Sequence, residues 1–284
     1  MGIGIGNFGR WLAWLAPAPP FITFWHGPVD PITYTCLASF PRRGVGLRVY
    51  SYDPAIELPE GVQRADARRI VPDEELLGRF SVDGQASLSA FSDYFRYLAI
   101  KSTGSCWVDS DVVCLRRPTF GRNTLVFGYQ GRKCEGPWAL NGAVLKLPRR
   151  HPMLRYLCAS AALAVDADTR WGTIGPLLVT QAARRYGVVD SARPAGAFYP
   201  IGFTGFWKML LPERKAEVRR GSAESQFLHL WRESYRRAGY DETIAPPEGS
   251  YLHDLCGKLG TLDRFRRTYG REELRAILSA HVRD

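Results

Sequence analysis

The stretch from Cys106 to Leu115 constrains this chain more than any other. An apolar run, Cys106-Trp107-Val108, passes directly into Asp109-Ser110-Asp111, and apolar character resumes at Val112-Val113-Cys114-Leu115. An ionised carboxylate buried without a partner is costly. A strand this apolar therefore carries two of them only at its end, where water, a cation or a ligand meets them. Residues i and i+2 of a strand project to one side, and a turn just beyond the strand aims both at one point. Such a pair suits a hard divalent cation, Mg2+ or Mn2+, which prefers oxygen ligands and also takes phosphate oxygens. A lone Asp-x-Asp is more simply a surface turn, but the apolar runs on both sides favour the cation.

The surrounding pattern predicts the scaffold. Phe21 to Trp25 reads as a strand ending in the turn His26-Gly27-Pro28, and Pro31 to Phe40 as a helix. Leu47 to Tyr52 alternates as a second strand. Ala86 to Lys101 is the clearest helix, with Leu88, Phe91, Phe95, Leu98 and Ala99 on one stripe and Gly104 as its stop. Leu125 to Phe127 and Ala143 to Leu147 are further strands, and Met153 to Val165 and Pro176 to Tyr186 further helices. The expectation is an α/β fold with a mostly parallel central sheet flanked by helices. Ligands bind outside the carboxyl ends of strands in such sheets, where Asp109 and Asp111 fall.

With 284 residues, 45% hydrophobic and 23% charged, the chain is of ordinary globular composition and long enough for a sizeable core. The net charge of +10 is spread over scattered Arg doublets rather than a basic run. That favours a solvated basic surface over a nucleic-acid partner, and no recognition-helix or zinc-finger pattern argues otherwise. Six cysteines lack metal-site spacing and read as buried free thiols in a reducing compartment. No apolar stretch approaches the ~18–20 residues of a spanning helix. The Trp-rich segment 1–20 is expected to be a tail or short anchor helix. The run Gly2-Ile3-Gly4-Ile5-Gly6 has no strand before it and reads as a flexible end rather than a phosphate loop.

Upstream of the two carboxylates, the helix carries Ser92-Asp93 and then Arg96. Asp93 and Arg96 share a helix face, which alone would be a solvated ion pair. The order Ser-Asp-x-x-x-Arg, helix, Gly, strand, Asp-x-Asp, however, closely resembles glycosyltransferase family 32, whose relatives act in capsular polysaccharide synthesis and as sugar-transferring toxins. Supporting similarities run in order along residues 21 to 235. They are Phe24-Trp25-His26-Gly27, Asn141-Gly142-Ala143, Thr173-Ile174-Gly175-Pro176 with Thr180, Phe198-Tyr199-Pro200, and His229-Leu230-Trp231 with Ser234. The helix–strand junction departs from the family's frequent paired glycines, reading Thr103-Gly104-Ser105.

The resemblance implies a GT-A-like nucleotide-sugar-binding fold, expected over residues 21–240, and retaining transfer of a hexose; the polar, helical pattern of residues 241–284 reads as a helical extension. The implied donor is a UDP-sugar, with GDP as the next nucleotide, and the acceptor a saccharide or glycolipid. It implies Mn2+ or Mg2+ held by Asp109, Asp111 and His229, and catalytic roles for Asp93, Arg96, Asp109 and Asp111. Trp25, His26, Gly27, Ser92, Asn141 and Trp231 would line the donor, Trp25 by stacking on the base. For His229 the competing reading is a structural histidine beside a core Trp, and for Asn141 a turn residue before Gly142. Two other functions compete: a haloacid-dehalogenase-like phosphatase with Asp109 as nucleophile, and a non-enzymatic binder of anionic polymers or lipids. The expected location is cytoplasmic, with peripheral association at an anionic inner membrane face.

Overall fold

The computed structural model describes residues 21–118, 120–121, 124–131 and 139–282. The 1–20 tail and Cys134 lie outside the described residues.

Eleven strands are described: β1 (Phe21–Phe24), β2 (Leu47–Ser51), β3 (Gln63–Asp66), β4 (Ser81–Val82), β5 (Gln85–Ala86), β6 (Cys106–Val108), β7 (Val112–Cys114), β8 (Val126–Tyr129), β9 (Leu140–Lys146), β10 (Asp168–Thr169) and β11 (Phe227–His229). The central sheet has six of them in the order β3-β2-β1-β6-β9-β8. β3, β2, β1 and β6 are parallel, and β9 and β8 close one side antiparallel. This is the mostly parallel α/β sheet that the sequence predicts. Its inner strands β2, β1, β6 and β9 are buried on both faces, as parallel strands are when helices cover each side, while the edge strand β3 is exposed or half-buried. In β1, Phe21 joins one core, while Ile22 and Phe24 join the other. In β6, Cys106 and Val108 face the first core and Trp107 the second.

The helices are α1 (Pro31–Ser39), α2 (Leu88–Thr103), α3 (Pro152–Ala162), α4 (Leu178–Arg185), α5 (Ala195–Phe198), α6 (Lys215–Gly221), α7 (Arg232–Arg237), α8 (Tyr251–Leu259) and α9 (Arg271–Ile277). The second core packs α2, α3 and α4 through Phe91, Phe95, Ile100, Leu154, Leu157 and Val179. The first holds α1 together with Leu252, Leu255, Cys256, Leu274 and Leu278 from α8 and α9 and the turn after them. Thr35 of α1 shares a 2.7 Å hydrogen bond with Thr261, so residues beyond 240 are seated in the same core as the sheet.

Three expectations shift in detail. Leu88, placed on the buried stripe, is 47% exposed because it is the first residue after the cap Ser87. The helix expected from Pro176 begins at Leu178, after a single wide turn over Thr173–Leu177. Gly175 breaks the helical path there with φ −95° and ψ −116°. The strand expected from Ala143 starts three residues earlier, because Leu140 and Asn141 pair with Tyr129 and Gly128. Cys36, Cys106, Cys114, Cys158 and Cys256 are free and buried. Among the described residues, no helix is long and apolar enough to cross a membrane.

Candidate functional site

Parallel pairing of β1 with β6 puts Trp25–Pro28 and Asp109–Asp111 at the same edge of the sheet, beyond both carboxyl ends. β9 runs the other way, so its beginning, Asn141–Ala143, arrives at that edge too. The Asp109 amide donates to the Ala143 carbonyl at 2.8 Å, joining the Asp-Ser-Asp turn to the sheet.

One half of the site is built on α2. The Arg96 guanidinium, with only 6% of its side chain exposed, forms ion pairs from Nη2 with Asp93 Oδ1 at 2.8 Å and with Asp109 Oδ1 at 2.7 Å, donating a hydrogen bond to Asp109. Its carbon lies 5.4 Å from the centroid of the Trp107 ring, and the Trp107 Nε1–H donates to the same Asp109 oxygen at 2.6 Å. Burial pulls the Arg96 pKa down, but Asp109 and Asp93 more than offset this, so the group stays charged. Burial pushes the Asp93 carboxyl up to about 6. Arg96 opposes that rise and does not overcome it, because one guanidinium serves two carboxylates.

Two glycines make room for this arrangement. A Cβ on Gly142 would lie 2.5 Å from Arg96 Nη1, and one on Gly175 would lie 2.6 Å from Asp93 Oδ2. A side chain at either position would have no space.

The other half is built on the two-stranded ribbon of β7 and β11, paired antiparallel with His229 opposite Val112. His229 Nε2 lies 3.1 Å from Asp111 Oδ1. The Arg232 amide donates to Asp111 Oδ2 at 3.0 Å, and the Leu230 amide to the Asp111 carbonyl at 3.0 Å. Between them Trp231 adopts φ 59° and ψ 49°, a left-handed conformation costing about 1–2 kcal/mol for a residue with a side chain. Its indole N–H holds it there by donating to Ile201 O at 2.7 Å. Burial alone would raise the Asp111 pKa, but the charge and hydrogen bond of His229 and the Arg232 amide bring it to about 2. Burial alone would lower His229, and Asp111 reverses it to a net rise.

Side-chain ligand atoms of Asp109, Asp111 and His229 all lie within 4.8 Å of one another. Two carboxylates and an imidazole are a donor set that Mn2+ accepts. Both donors to Asp109 reach Oδ1, and His229 Nδ1 is buried with no hydrogen-bond partner. The residues present fit a divalent cation.

The remaining predicted residues divide. Trp25 stands at the rim, its indole N–H donating to the Gly27 and Pro28 carbonyls at 3.0 and 3.2 Å. The Arg232 guanidinium lies 4.8 Å from its ring centroid. Gly27, with φ +83°, makes the turn. Asn141 lies within β9, accepting from the Ala143 amide at 2.7 Å and donating to Gln130 at 3.0 Å. Trp231 packs on His229 with ring centroids 4.0 Å apart. His26 is exposed and Ser92 partly so; among the described residues, neither joins the ion pairs above.

Several neighbours escape sequence reasoning. Arg232 bridges Asp30, at 2.6 Å, and Glu242, whose Oε2 is 2.8 Å from Nη2. The three come from distant segments, and no local spacing links them. Trp107 reads as a core residue, yet it also donates to Asp109. Gly142 was visible only as part of the Asn-Gly-Ala similarity, and its close approach to Arg96 required the structure.

No family model matches the chain, and no curated protein does. Among solved structures it is similar to one named PaToxG Glycosyltransferase, at 14% identity and a TM-score of 0.44, over 76% of this chain and 84% of that one. At that score the likeness leaves the reading of the site to its own residues.

Proposed function

We propose that the chain is a retaining, metal-dependent glycosyltransferase that moves a hexose from a nucleotide-sugar, a UDP-sugar first, to a saccharide or glycolipid acceptor. One observation carries this reading. Asp109, Asp111 and His229 converge within 4.8 Å at the carboxyl edge of a mostly parallel sheet, beside the buried cation Arg96. A divalent cation held by these three residues would supply Lewis-acid neutralisation of the leaving diphosphate.

The chain's own residues do the rest. Arg96 is fixed by two carboxylates before donor arrives, so its charge is preorganised for the anion that develops as the bond from C1 to phosphate oxygen breaks. Asp93 is placed to accept from sugar hydroxyls, and Trp25 offers a ring at the rim for the base. Retention needs no side-chain base. As the acceptor oxygen bonds to C1, its proton passes to the departing phosphate on the same face. Asp109 Oδ1 accepts from both Arg96 and Trp107, which dampens it as a nucleophile and favours transfer over the phosphatase alternative.

The test is turnover of UDP-glucose, UDP-galactose, UDP-N-acetylglucosamine and GDP-mannose with Mn2+ or Mg2+, following nucleoside diphosphate release and the anomeric configuration of the released sugar. Metal-dependent release from one donor, with retained configuration and lost in Asp111→Ala, supports the reading. Release from none, or equal release by Asp111→Ala, contradicts it.

A further inference from the structure

The ribbon of β7 and β11 has two ends. Asp111 and His229 occupy one, and a cavity lies at the other, where its lining begins at Leu115, four residues beyond Asp111 and so roughly 13 Å along at ~3.3 Å each. This cavity has a volume of about 290 Å3, near the small end of the ~300–1,000 Å3 range for ligand pockets. None of the carboxylate-site residues lines it.

Its walls are strongly one-signed. Arg43 follows α1, Arg116 follows β7, Lys215 and Arg219 stand one turn apart on α6, and Lys258 lies on α8. One acidic residue, Asp254, faces these five cations, paired with Lys215 at 2.5 Å. Arg116 is engaged at the rim by Glu224 at 3.2 Å. For Arg43, Arg219 and Lys258 no carboxylate among the described residues lies within ion-pair distance. Three separate chain segments thus bring three cations without a carboxylate partner to one concavity. All three are exposed, so water screens their mutual repulsion, but an anion entering the concavity would meet their combined positive field. Part of the wall is apolar, from Leu115, Ala223 and Leu255, so the cavity also presents a surface for a carbon skeleton.

We propose that this cavity is a second binding site, separate from the carboxylate centre, for a multiply phosphorylated ligand. Three cations from different elements suit several phosphates better than one. Guanidinium groups at Arg43 and Arg219 grip phosphate through paired N–H donors, and Lys258 adds a point charge. The same chemistry is offered by a soluble polyphosphate and by a phosphoinositide headgroup. This inference does not depend on what the carboxylate centre does.

The test titrates tripolyphosphate into the full chain by calorimetry, and in parallel measures sedimentation with vesicles containing phosphatidylinositol bisphosphate or phosphatidylserine at equal charge. The double variant Arg219→Glu with Lys258→Glu is compared with Arg150→Glu with Arg155→Glu, an equal charge change on exposed residues elsewhere. The expected result is that the pocket variant weakens tripolyphosphate binding by about tenfold or more while the control shifts it by no more than about twofold. Pocket-dependent sedimentation specific to the phosphoinositide assigns the lipid source, and pocket-dependent binding of tripolyphosphate alone assigns the soluble one. No binding by the unaltered chain, or equal loss in both variants, overturns the proposal.

Discussion

At the scale of single residues, the site depends on how closely Arg96 is fitted. Gly142→Ala places a carbon 2.5 Å from Arg96 Nη1. The fold has no other quarrel with an alanine there, so the variant should melt cooperatively yet lose about 10²-fold in kcat/KM as the guanidinium shifts. Near-normal turnover would show that the placement of Arg96 is unimportant. Asp93 yields a second expectation. Its folded pKa of about 6 exceeds the ordinary 3.8, so the folded chain holds that proton more tightly than the unfolded chain. The stabilisation is therefore full below about pH 4 and lost as pH rises through about 6. The stability difference between wild type and Asp93→Asn should fall by up to about 3 kcal/mol from pH 4 to pH 7.5 in denaturant titrations. A flat difference would contradict the burial of that carboxyl. Asp93, Arg96, Asp109 and Asp111 were all legible as candidates, because charged residues beside apolar runs stand out in a sequence. Their clearances from Gly142 and Gly175 were not, since close approach across distant segments leaves no local pattern.

At the scale of elements, the turn after β11 ties the Asp111 half of the site to the cap of α1 and to the Trp25 rim. Arg232 reaches Asp111 through its amide, Asp30 at the cap of α1 through its guanidinium, and Glu242 beyond α7, while covering one face of Trp25. Replacing it by Gln leaves Glu242, which is 9% exposed, without its cation. Removing one partner of such a buried pair costs about 3–5 kcal/mol. Arg232→Gln should lower the melting temperature and also weaken nucleotide binding, by freeing Trp25 and the Asp111 turn together. A stability loss with unchanged nucleotide affinity would separate Arg232 from the donor site. The strands and long helices were readable from periodicity. This turn was not, because the left-handed Trp231 at its centre breaks the preference that sequence reading relies on.

At the scale of the whole molecule, the two cores differ in what completes them. The one under α2, α3 and α4 closes with residues before 190, whereas the other needs Leu252, Cys256 and Leu274 against α1 and β7. A chain ending at residue 240 should therefore fail to show a cooperative thermal transition, and a truncated chain as stable as the full one would contradict the shared core. The order of strands and helices announced an α/β sheet, but the seating of the last forty residues depends on long-range packing that polar helical patterns do not reveal. The central claim is that Asp109, Asp111 and His229 assemble a cation-dependent nucleotide site on this scaffold. Calorimetric titration of UDP with Mn2+, then with chelator, then into Asp111→Ala, tests it most directly. The account predicts micromolar-range binding with Mn2+, at about −8 kcal/mol, that vanishes with chelator and in the variant. Binding of UDP that is indifferent to Mn2+ and to Asp111 would contradict it.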